Sequence, residues 1–135
     1  MPDTFQLRIV TPTRLLLDER VREITAPGTL GEFGVFPDHI TFLTSLEIGS
    51  LHFRTDGDPQ RIAIRGGFAE VADNVITVLA DDAAFPQDID AERARGELAA
   101  ADSRLRDLSP LDPSYTQVDA DRRWAQTCLE VSGVR

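Results

Sequence analysis

Leu51-His52-Phe53-Arg54-Thr55-Asp56-Gly57-Asp58-Pro59-Gln60-Arg61-Ile62-Ala63-Ile64-Arg65 reads as two strands joined by a turn. Leu51 and Phe53 alternate with His52 and Arg54, and Ile62 and Ile64 alternate with Arg61 and Arg65. Successive strand side chains point to opposite faces, so each arm has one apolar and one polar side. Asp56-Gly57 supplies the tight turn between them. Working outward, Phe5, Leu7 and Ile9 alternate with Gln6 and Arg8 as a further strand. On the other side, residues 68–72, an Asp73-Asn74 turn and residues 75–80 read as a second hairpin. Its last arm is apolar on both faces, which predicts a central place in the sheet. Turn signals recur about every 8–12 residues, the rhythm of an all-β sandwich or barrel.

The chain changes character at Pro86. All seven phenylalanines precede it; alanine, arginine and aspartate dominate the rest of the chain. Asp90 is placed to cap a helix in which Ala91, Ala94, Leu98, Ala101, Leu105 and Leu108 form one stripe. Ser109-Pro110 ends it, and Asp112-Pro113 is expected to start a second helix with proline at its first position. That second helix has two apolar sides. Tyr115, Val118, Ala125 and Leu129 lie on one, and Ala120, Trp124, Cys128 and Val131 nearly opposite. One side can meet the first helix, and the other is expected to pack on the β-domain or to dock on different surfaces in different states. The expected architecture is a β-sandwich over residues 1–86 followed by an antiparallel α-helical hairpin over residues 87–135.

Composition narrows the chemistry. The 135 residues carry 14 basic and 23 acidic side chains, a net charge of −9, and every basic residue is arginine. Lysine chemistry is thereby excluded. Both halves are acidic and neither has a basic run, so nucleic acid is not an expected partner. One cysteine rules out an internal disulfide and a CxxC metal site, and two histidines make a histidine-rich centre unexpected. No apolar run reaches the roughly 18–20 residues needed to cross a bilayer, and the N-terminus has no signal-peptide pattern. No catalytic triad, paired-carboxylate motif or metal cluster stands out, so no catalytic residue and no metal site is expected.

Gly28, Gly31 and Gly34 fall at every third position, a pattern read as a sterically open loop and not a regular strand. The surrounding Ala26-Pro27-Gly28-Thr29-Leu30-Gly31-Glu32-Phe33-Gly34-Val35-Phe36-Pro37-Asp38-His39 resembles the PG-x-x-GE-x-GV-x-P-x-H segment of the epsilon subunit of F-type ATP synthases. Ile64-Arg65-Gly66-Gly67-Phe68-Ala69-Glu70-Val71 is similar to that family's GGF-x-EV hairpin, and Val75 to Asp81 to its V-T-V-L-A-D strand. Ile89-Asp90-Ala91-Glu92-Arg93-Ala94 matches its I-D-x-x-R-A helix opening. The motifs keep their order and spacing over residues 4–106.

The resemblance implies a non-catalytic rotor-stalk subunit in which the sandwich couples the gamma subunit to the membrane c-ring. Gly31, Glu32, Gly34, Val35 and His39 would then lie at subunit interfaces, with Glu32 toward the ring and His39 toward gamma. The hairpin would extend toward the alpha and beta catalytic subunits and inhibit ATP hydrolysis, although only Arg122 and Arg123 are basic in its second helix. No cofactor is implied. Some members bind regulatory ATP between their folded helices, and Ile89, Asp90, Arg93 and Arg122 are the residues here that match that site. Ala84 and Ala100 stand where a carboxylate and an arginine are usual. The alternative reading is therefore an ATP-sensing module acting through the hairpin. The implied location is peripheral, on the cytoplasmic face of a bacterial membrane, with membrane contact only through the c-ring.

Overall fold

The computed structural model describes residues 3–37 and 41–133. Eight strands come first: β1 (Phe5–Thr11), β2 (Arg14–Val21), β3 (Glu23–Gly28), β4 (Gly31–Val35), β5 (Phe42–Arg54), β6 (Gln60–Ala72), β7 (Val75–Ala80) and β8 (Ala83–Ala84). A single 3-10 turn at Pro86–Asp88 leads to α1 (Ala91–Asp107) and α2 (Tyr115–Ser132). The strands run in the order β2-β1-β7-β6-β5-β3-β4, with β8 against β6. All pairings are antiparallel except β1 with β7. As its two apolar faces predict, β7 is central, between β1 and β6.

The two hairpins expected from the sequence share a strand. Their arms at residues 61–65 and 68–72 are both part of the 13-residue β6, which pairs along its length with the equally long β5. Ile62 and Ile64 face the core before the middle of β6, and Ala69 and Val71 face it afterwards. The inward parity thus changes from even to odd positions. Gly66 (φ +68°) and Gly67 (φ +119°) lie at the change, in backbone that L side chains avoid. The sheet bends there and closes over one core that runs from Phe5, Leu7 and Ile9 to Ile76, Val78 and Ala80.

Three strands are not marked by the sequence pattern. In β2, the run Leu15-Leu16-Leu17 hides the period of two, because a bulge shifts the register from Ile9↔Leu17 to Val10↔Leu15. The glycine-rich segment is also a correction: Gly28 and residues 31–35 belong to β3 and β4, and the turn proper is Thr29-Leu30. Two of the glycines have separate reasons: Gly28 is crowded across the hairpin, and Gly31 has φ +125°. A Cβ on Gly28 would lie 2.8 Å from the Gly31 carbonyl oxygen and 2.9 Å from the Phe33 ring. Phe33 itself packs edge-on against Phe42, with ring centroids 5.5 Å apart.

The helical hairpin forms as expected, with one shift. The Asp90 side chain accepts from the Arg93 amide and caps α1, and α1 ends at Asp107, two residues before Ser109-Pro110. By contrast, α2 begins at Tyr115 and not at Pro113, because Asp112 accepts from the Ser114 amide and hydroxyl and so closes a local turn. The apolar sides of α2 find the two neighbours they need: α1 on one side, and β5 and β6 on the other.

The glycine pair gives a graded stability test. A Cβ on Gly67 would lie 2.0 Å from the Leu79 carbonyl oxygen, whereas one on Gly66 meets nothing closer than 3.6 Å. Thermal or denaturant unfolding of Gly66→Ala should show a loss of about 1–2 kcal/mol from backbone strain alone. Gly67→Ala adds a clash with the β7 backbone and should cost about 3 kcal/mol or more, or prevent folding.

Candidate functional site

Two surfaces carry chemistry. The first is an apolar row across the outer face of five strands. Leu15 on β2 pairs with Val10 on β1, Val10 with Leu79 on β7, Leu79 with Phe68 on β6, and Phe68 with Ser45 on β5. Leu15, Leu79 and Phe68 are 55%, 53% and 56% exposed, and Leu43, diagonal to Phe68, is 69% exposed. At Ser45 the row meets the β3–β4 turn, since the Thr29 amide donates to the Ser45 carbonyl oxygen and the two hydroxyls lie 2.7 Å apart. Beside Thr29, Leu30 is 99% exposed. Large apolar side chains gathered this way on a solvent-facing sheet mark an interaction surface.

Of the residues singled out in this region, Gly31 (φ +125°) ends the turn, and Glu32 and Gly34 are exposed on β4. Val35 is 1% exposed and belongs to the core, so it anchors β4 and does not present a contact. His39 lies outside the described residues.

The second surface is a cleft of about 680 Å³ enclosed by β6, the 3-10 turn, α1 and α2. Ile89, Asp90 and Arg93 line it, as do Ala84 and Ala100, the two departures from the nucleotide motif. Arg122 is not on its wall. Its guanidinium lies 3.4 Å from Asp119 and 4.0 Å from Asp102 of α1, and donates to Gln126 at 3.2 Å.

Arg65, Arg104 and Trp124 also line the cleft, and the nucleotide motif does not mark them. Sequence position carries a signal for two of them. Arg104 lies one helical turn beyond Ala100, and Arg65 is the polar-face neighbour of Ile64 on its strand. The Arg65 guanidinium donates to Asp121 at 2.6 Å and lies over the Trp124 ring at 5.9 Å. That hydrogen bond holds the Asp121 carboxyl below its ordinary range.

Size alone would admit a nucleotide. Charge does not. Arg65, Arg93 and Arg104 face Asp82, Asp88, Asp90, Glu97 and Asp121. Arg65 is engaged by Asp121 and Arg93 by Glu97 at 2.9 Å, while the Asp90 carboxylate caps α1. A triphosphate entering here would meet a surplus of carboxylates, and two of the three arginine forks that could grip phosphate are already paired. Among the described residues no group of acidic, histidine or cysteine side chains could hold a metal ion.

Residues 4–86 match the family model described as ATP synthase, Delta/Epsilon chain, beta-sandwich domain. The chain belongs to the ATP synthase delta/epsilon family. The likeness extends past the sandwich. The ATP synthase epsilon chain of Citrifermentans bemidjiense is 41% identical over 133 residues, covering 98% of this chain and 96% of that one. That of Nitratidesulfovibrio vulgaris is 47% identical over 127 residues, covering 93% and 95%. A chain in the Euglena gracilis mitochondrial ATP synthase structure (OSCP/F1/c-ring) superposes with a TM-score of 0.81 at 26% identity, over 96% of this chain and 81% of that one. In a Tetrahymena thermophila central stalk/c-ring structure the fold recurs with a TM-score of 0.64 at 17% identity, over 94% of this chain and 95% of that one. The match to the epsilon chains thus takes in both the sandwich and the helices. Among the described residues no helix is long and apolar enough to cross a membrane.

Cys128, 8% exposed on α2, reports directly on this architecture. Burial, reinforced by the charges of Asp82 and Glu97, pushes its thiol up to about 11. A raised thiol pKa means less thiolate at a given pH, so the folded chain at pH 8 holds about a hundredfold less of the reactive form than an exposed cysteine. Alkylation by iodoacetamide should therefore be at least about a hundredfold slower in buffer than in urea. The ratio should narrow as the pH approaches 11.

Proposed function

We propose that this chain is a non-catalytic coupling element. Its sandwich clamps the gamma subunit to the membrane c-ring, and rotation driven by the ion gradient passes through it as torque. The apolar row Leu15–Val10–Leu79–Phe68 with Leu43 carries this reading. These are side chains that water solvates poorly, set in register on a rigid sheet, and they call for a partner surface. The row is assigned to gamma. The β3–β4 turn at its end, with Leu30, Gly31 and the Glu32 carboxylate, is assigned to the polar loops of the c-ring. His39 is assigned to the gamma contact by family resemblance. The corresponding location is peripheral, on the cytoplasmic face of a bacterial membrane and held there through the ring.

Residues 87–135 are proposed as a separable regulatory unit whose extended form approaches the alpha and beta subunits and slows ATP hydrolysis. The two helices are joined to the sandwich through α2, by a small apolar cluster around Ala63, Cys128 and Val131 and by arginine contacts. A small energy gap between docked and released forms is what a switch needs.

The test is binding of purified gamma to the full chain and to variants of the row. Phe68→Glu and Leu79→Arg alter side chains that are more than half exposed, so the fold should survive while gamma affinity falls about 100-fold or more. Deleting residues 87–135 should leave that affinity unchanged. Normal binding by both row variants would overturn the assignment of this face.

A further inference from the structure

We propose that a set of guanidinium tethers, and not a bound nucleotide, holds the helical hairpin on the sandwich, so that ionic strength sets how often the hairpin is released. This deepens the regulatory reading of residues 87–135 and rests on it.

Among the described residues, three arginine hydrogen bonds join α2 to the strands. Arg65 on β6 donates to Asp121 at 2.6 Å. Arg123 on α2 donates to Glu47 on β5 at 2.8 Å. Arg61 on β6 donates through Nε to the Val131 carbonyl oxygen at 2.9 Å. Val131 lies in the last turn of α2, where carbonyls have no helical partner, so Arg61 acts as a cap supplied by the sheet. Spacing lets the strand and helix carry these contacts together. Arg61 and Arg65 share a face of β6 about 13 Å apart, and Asp121 and Val131 are about 15 Å apart along α2.

The helix terminus is shaped for its tether. Gly133 has φ +74°, and a Cβ there would lie 2.8 Å from an Arg61 guanidinium nitrogen. A side chain here would displace the Arg61 guanidinium from its present position beside the helix end. The apolar share of the same interface is a small cluster: its buried members are Ala63, Ala94, Cys128 and Val131, with Ala84, Ile89, Trp124 and Leu129 partly covered. Arg65, Asp121, Arg123 and Glu47 keep 26%, 46%, 38% and 42% of their side-chain surface in water, so dissolved ions reach every charge. Where a phosphate would have to sit in the cleft, the Asp121 carboxylate already neutralises Arg65. The hairpin carries its own anion.

The sole cysteine, Cys128, is on the side of α2 that clusters with Ala63 of β6, so its alkylation rate in the intact chain reads release. Between about 0.01 M and 1 M NaCl the screening length falls from roughly 30 Å to 3 Å. Over that range Cys128 alkylation should speed up on the order of tenfold, the combined weight of two exposed ion pairs. The double variant Arg65→Met, Arg123→Met should label fast at low salt and lose its salt response. Exchanging the charges with Arg65→Asp and Asp121→Arg should restore slow labelling, and Gly133→Ala should speed it. Millimolar ATP should change none of these rates.

Salt-independent labelling of the unmodified chain would overturn the proposal, and so would slower labelling with ATP. If a variant loses its cooperative sheet unfolding, the salt and ATP titrations of the unmodified chain still decide. None of these measurements involves gamma or the c-ring, so failure of the coupling role would appear separately, in the gamma-binding assay.

Discussion

The Gly66–Gly67 pair is the constraint on which the molecule turns. A strand of ordinary residues keeps one set of side chains inward along its whole length. By passing through two left-handed positions, β6 exchanges its inward set partway and so serves both layers of the fold. The residues on either side of the pair then face different worlds. Arg65 points at the helical hairpin, and Phe68 stands in the apolar row on the opposite side of the sandwich. Without the glycines neither the closed core nor this division of surfaces could exist.

The two parts of the chain are held by different forces. Burial of Phe, Ile, Leu and Val side chains, each contributing about 1.5–3 kcal/mol, builds the sandwich. The hairpin is attached by a much smaller apolar cluster around Ala63, Cys128 and Val131 and by partly exposed ion pairs of at most about 1 kcal/mol each. Under the proposed regulatory role, that inequality is what would let a firm head carry a tail that modest changes in its surroundings release.

Much of this is legible in the residues, and the exceptions have physical reasons. The alternation in residues 51–65, the two-faced apolar arm at residues 75–80, the Asp90 cap and the alanine stripe all appear where local pattern places them, because nothing tertiary opposes them. The β2 strand is hidden by its bulge, and β3 and β4 by their glycines, of which Gly28 is set by crowding across the hairpin and Gly31 by its positive φ. The α2 start moves because Asp112 has a nearer donor in Ser114 than any helix amide. The candidate sites divide unevenly. Ile89, Asp90 and Arg93 gather in one cleft as their motif suggests, but Arg122 turns to Asp102 and Asp119, and Val35 is in the core. Helical periodicity says which side of α2 an arginine is on. It does not say which carboxylate on a neighbouring element reaches it first.

The apolar row has a consequence for the chain before it joins anything. A freshly made copy presents Leu15, Leu79, Phe68 and Leu43 to water with no companion to cover them. Two such copies offer each other the same sticky stripe, and crowding would favour clumps over orderly incorporation. Matching supply of this polypeptide to that of its mates is therefore a matter of colloidal hygiene as much as of engine construction.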